Sequence, residues 1–143
     1  MNNAILIKWL KLIAFLHVMG GLALAADFPS YVWQIYRAEL FSIFNIAQDS
    51  SADYQALVTM IVRLFGATVA SWGALMLILI KVIQAHGVTK YRLAFIAALL
   101  VWFVTDCTIS FFHGVYVHLL INFIALLCIV IPLQLIKPDK TPI

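Results

Sequence analysis

Four times along this chain a long apolar run is broken by only a few polar positions, over 4–26, 56–82, 93–113 and 115–136. A helix needs about 20 mainly apolar residues to cross roughly 30 Å of hydrocarbon, and each run reaches that length. The pattern predicts an all-α fold, an integral membrane four-helix bundle forming a single membrane domain over 1–143. The turn around His113-Gly114-Val115 holds one breaker, Gly114, so the third and fourth spans are expected to be antiparallel neighbours.

The connection between the first two runs carries a different pattern. Val32, Trp33, Tyr36, Leu40, Ile43, Phe44 and Ala47 recur at helical spacing, with Gln34, Arg37 and Asn45 on the other side. This predicts an additional outer interfacial helix over 31–47, since Arg37 and Glu39 oppose a fifth crossing. Pro29-Ser30 reads as its start, and Ser50-Ser51-Ala52-Asp53 as a cap for the second span. Close helix contact is expected at Gly20 and Gly21, at Gly66, Ala70 and Ala74, and at Ala94 and Ala98.

Composition sharpens this reading. The chain is 65% hydrophobic and 10% charged, with a mean hydropathy of +1.07. Soluble domains have about a quarter of their residues charged, so disorder, a coiled coil and an ordinary cytosolic enzyme are excluded. The first run, with Lys8 and Lys11 in its first part and Ala23-Leu24-Ala25 at its end, also has the form of a signal peptide. His17 and Gly20-Gly21 inside it favour a retained, packed helix instead.

The net charge of +3 does not mark a nucleic-acid partner, because the 9 Lys and Arg lie at helix ends rather than in a stripe. Lys8, Lys11, Lys81, Lys90, Arg92, Lys137 and Lys140 all fall on one side of the alternating connections. The other side has Arg37 against Asp27, Glu39, Asp49 and Asp53. The bias puts both termini in the cytoplasm, and the expected setting is a bacterial inner membrane.

Polar residues inside the runs are the candidates for function, because a charge at membrane depth is costly and turns inward. Arg63 and Asp106 each fall seven residues from the expected outer end of their spans, roughly 10 Å deep, which predicts an intramembrane ion pair. Asn122 lies at nearly that level, His17 slightly deeper and His118 shallower. Arg63, Asp106, Asn122, His17 and His118 are therefore the candidate ligand-binding residues, in a cavity opening outward. The competing reading makes the pair a lock that fixes helix register.

No cofactor, metal site or catalytic residue is legible. His17 and His113 differ in expected depth, so facing haem ligands are not predicted. His113 and His118 are five apart and project from different sides of a helix. Ser110 and His113 have no third group to orient a base. Cys107 and Cys128 fall at different depths, so no disulfide is expected between them.

Arg63-Leu64-Phe65-Gly66 opens the second span, Tyr91 lies in the next connection, and Asp106 follows in the third span. In this, the chain resembles the small four-span proteins of the ergosterol-biosynthesis protein 28 type, and bacterial four-span families of unknown function. Where that family has a histidine and a serine before a glutamate, this chain has Trp102-Phe103-Val104-Thr105-Asp106. That family's members act as non-catalytic scaffolds that tether sterol enzymes, and the resemblance implies a tether or lipid-associated accessory protein. The leading expectation is a non-enzymatic accessory, scaffold or lipid-binding module whose partner is a membrane lipid or apolar small molecule. Its small-residue faces suit a homodimer or a partner membrane protein. The alternative is a small transporter or proton pathway using the Arg63–Asp106 pair.

Overall fold

The computed structural model describes residues 2–28, 31–43 and 52–137, all helix and short connections, with no strand among them. The helices are α1 (Asn3–Ala25), α2 (Tyr31–Ile43), α3 (Ala52–His86), α4 (Val88–Phe112) and α5 (Tyr116–Leu135). All but α2 are long and apolar enough to cross a membrane. The Pro29-Ser30 start signal, the 44–47 end of the expected interfacial helix and the Ser50-Ser51 half of the expected cap lie outside the described residues.

The four long helices close a ring in the order α3–α1–α5–α4, with α2 touching α5. The tightest seam joins α1 to α3. A side chain at Gly21 would place its Cβ 2.6 Å from the Gly66 carbonyl oxygen, and one at Gly66 would lie 2.7 Å from that of Gly21. Seven residues along, a Cβ at Gly73 would lie 2.7 Å from the Ala14 carbonyl oxygen. The two backbones therefore touch at a repeat of two turns, which only small residues permit. The partner on α1 is Gly21; Gly20 faces open space, and Ala74, Ala94 and Ala98 are exposed rather than part of the seam.

Below this seam sits the core. Leu6 and Leu10 of α1, Ile80 of α3, Leu99 of α4, and Ile129 and Leu133 of α5 are all buried to 2% exposure or less. Elsewhere the apolar surface faces outward: Leu75, Leu93, Val101, Phe111, Phe112 and Ile131 are each at least half exposed.

The C-terminal ends of α4 and α1 are explained by local chemistry. Helix α4 stops in a Schellman motif, with Val115 N–H donating to the Ser110 carbonyl at 2.9 Å and Gly114 N–H to that of Phe111 at 3.1 Å. Gly114 takes φ +73°, which favours a residue without Cβ. Helix α1 ends the same way, with Asp27 at φ 54° and Phe28 N–H bonded to the Ala23 carbonyl at 2.8 Å.

The link between α3 and α4 departs from expectation. The sequence places a connection over 83–92, but α3 continues to His86 and α4 begins at Val88, leaving Gly87 (φ +85°) as the sole break. Polar residues there sit on solvated helix turns; they end the apolar run without ending the helix. The same effect moves the start of the second span back to Ala52, with Asp53 in its first turn, near the positive end of the helix dipole.

Candidate functional site

Asp106 on α4 and the pair His118 and Asn122 on α5 form a polar cluster between two helices. His118 and Asn122 lie one turn apart on the same face of α5. Both reach the same oxygen: His118 Nε2 stands 3.0 Å from Asp106 Oδ2, and Asn122 Nδ2 donates to it at 2.7 Å. Asn122 also approaches the Cys107 sulfur at 3.8 Å. The tight α4–α5 turn makes this meeting possible, since it holds residues six before the end of α4 level with residues six after the start of α5.

The cluster is covered but not sealed. The Asn122 residue is 3% exposed, while the His118 and Asp106 side chains retain 13% and 25% exposure. Phe65 of α3 covers His118 from the third helix, with ring centroids 5.8 Å apart. Beneath the cluster Phe103 and Phe123 meet at 6.4 Å, and Trp72 packs on Trp102 at 4.8 Å. The carboxylate thus offers its other oxygen as an acceptor to a polar group entering beside it, with aromatic rings as the neighbouring wall.

The expected Arg63–Asp106 pair does not form. Arg63 Nε donates instead to the Ala25 carbonyl oxygen at 2.9 Å, at the last residue of α1. The physical reason is register. The glycine seam sets Gly66 against Gly21 and Ala25, so the first three turns of α3 run past the end of α1 and Arg63 meets that end. Residues two apart on a helix point to nearly opposite sides, so Arg63 turns to α1 while Phe65 turns to His118. His17 is a second departure: its Nδ1 lies 2.8 Å from the Ile13 carbonyl in its own helix, and no described contact joins it to the cluster. Of the five candidate residues, the structure brings together Asp106, His118 and Asn122.

Three contacts had no reading in the sequence. Glu39 of α2 accepts from Val117 N–H at 3.1 Å. It thereby caps the start of α5, where Val115 supplies no side-chain cap. Arg92 of α4 donates to the Ile136 carbonyl at the end of α5. Trp9 of α1 donates its indole N–H to the Cys128 carbonyl at 3.0 Å. Only the last had a sequence signal. Pro132 lacks the N–H that would serve the carbonyl four residues earlier, so Cys128 needs a donor from another helix. Both cysteines are free thiols, and among the described residues no three His, Cys, Asp or Glu side chains converge as a metal ion would require.

Comparison of the chain with known protein families, curated proteins and solved structures finds no match.

Proposed function

We propose that the chain is a non-enzymatic integral membrane protein with cytoplasmic termini. It acts as an accessory or lipid-binding module that takes the polar head of an apolar molecule at Asp106, His118 and Asn122. The carrying observation is the cluster itself, a carboxylate, an imidazole and an amide joined at one oxygen and left partly open in an otherwise apolar bundle. An ionisable residue within a span marks a site more often than a surface charge does. The broad outward apolar surface gives the tail of such a molecule a place to lie, and exposed Ala94 and Ala98 leave α4 open to a second copy or a partner helix. In this reading α2 lies in the outer interface, and Glu39 holds it over the mouth of the site.

Native mass spectrometry of the detergent-purified chain tests this. The wild type is expected to retain a lipid or apolar small molecule that Asp106→Asn with His118→Gln loses, while both give the same helical circular dichroism. Equal retention removes the site. Proton flux into proteoliposomes that disappears in Asp106→Asn would replace this reading with a proton pathway.

A further inference from the structure

At the end of the bundle carrying the termini, a cavity of about 360 Å³ opens between the start of α1, the last turn of α3 and the end of α5. Its rim carries Lys8, Lys11 and Lys137, its floor is closed by Ile83, Val88 and Ile136, each no more than 4% exposed, and Ala4 and Ile7 give it an apolar wall. No acidic residue lines it, and among the described residues none of the three lysines is ion-paired. Next in the chain, Asp139 and Lys140 offset one another in formal charge.

The cavity is held in shape by a reciprocal clamp. Asn3 Nδ2 donates to the Lys137 carbonyl at 2.9 Å, and Lys137 N–H donates to Asn3 Oδ1 at 3.0 Å. This ties the first residue of α1 to the chain just past α5 and fixes Lys137 opposite Lys8 and Lys11. Those two lysines are three residues apart, so they share one face of α1. Arg92, bonded to the Ile136 carbonyl, adds positive charge behind the wall.

We propose that this cavity binds the phosphate of an anionic phospholipid in the leaflet at the terminal end, with its acyl chain along the apolar wall at Ala4 and Ile7. Basic pockets between spans on the cytoplasmic side suit such headgroups. The apolar wall separates this from a site for free phosphate, which would gain nothing from it. The inference rests on the membrane reading above but not on the cluster at Asp106.

The test uses the full chain in nanodiscs of phosphatidylcholine with a minor fraction of phosphatidylglycerol, read by native mass spectrometry after release into detergent. Failure to enter nanodiscs would defeat the membrane reading itself. Entry is expected, with phosphatidylglycerol retained over phosphatidylcholine. Lys8→Gln with Lys11→Gln is expected to lower that preference on the order of tenfold. Lys81→Gln with Lys90→Gln removes equal charge at the same end outside the cavity and is expected to leave it within about twofold. Equal losses in the two double variants would mean diffuse surface potential and overturn the pocket. Displacement of the lipid by millimolar inorganic phosphate would overturn the lipid assignment, and absence of any preference in the wild type would overturn both.

Discussion

Replacing Trp9 by Phe removes one hydrogen-bond donor and little else of the ring's apolar character, and it isolates a single backbone carbonyl. Cys128 stands four residues before Pro132, so its oxygen receives no helical N–H, and the Trp9 indole is the donor seen at 3.0 Å. With Trp9 44% exposed at the bundle surface, the carbonyl would be left without a donor among apolar neighbours once the indole is gone. Interhelical hydrogen bonds in a bilayer average about 0.6 kcal/mol and reach about 1.7; a stranded polar group costs about 1–3 kcal/mol. Trp9→Phe is therefore expected to destabilise by about 1–2 kcal/mol. Pro132→Ala restores the N–H within α5 and makes the indole redundant. In that background the same Trp9→Phe change is expected to cost less by about 0.6–1.7 kcal/mol. The assay is reversible SDS unfolding in mixed micelles, followed by far-ultraviolet circular dichroism. A coupling energy within about 0.3 kcal/mol of zero would refute the assignment of Trp9 to that carbonyl.

Two further outcomes follow from the packing and the cluster. Gly66→Ala places a Cβ 2.7 Å from the Gly21 carbonyl oxygen and is expected to cost about 1–3 kcal/mol in the same assay. Gly20→Ala, which meets nothing within 4 Å, is expected to be neutral or stabilising by up to about 1 kcal/mol. In double-mutant cycles Asp106→Asn and His118→Gln are expected to couple by at least about 0.5 kcal/mol, whereas Asp106→Asn and Arg63→Ala are expected to add; coupling of Asp106 to Arg63 alone would contradict the register described above.

Element existence was legible from the sequence because apolar runs of span length have few other uses. Boundaries were less so: hydropathy marks where the chain leaves an apolar environment, and α3 continues as helix through Ile83–His86 after that point. Arg63 misses Asp106 because it turns to the end of α1 while Phe65, two residues on, turns to His118; Asp106 and Asn122, counted from the sharp Gly114 turn, meet as expected. His118 was legible as a polar residue but not as the partner of Asp106, because pairing depends on helix rotation, which spacing along one chain does not report. Packing also explains the motif that carries the family resemblance. Gly66 is needed at the Gly21 contact, Arg63 caps α1 and Phe65 covers His118, so a short Arg-Leu-Phe-Gly string arises from the geometry of this bundle alone.

The four charged side chains whose described polar contacts join two helices, Arg63, Arg92, Glu39 and Asp106, fall into two groups. The last four carbonyls and first four N–H groups of a helix lack partners within it, and the helix dipole favours a cation at the former and an anion at the latter. Arg63 lies on the end of α1, Arg92 on the end of α5 and Glu39 on the start of α5. Each therefore supplies a partner that a helix end lacks, and each is accounted for by helix termination. Asp106 is different. It lies six residues inside α4, where the backbone already satisfies itself, and no helix end needs its carboxylate. Its two partners, His118 and Asn122, are themselves polar residues that α5 would be simpler without. A leucine at each of these positions would bury as readily and leave nothing to satisfy. Helix termination thus gives reasons for three of these four charges, and the fourth, with its imidazole and amide, has no reason of that kind.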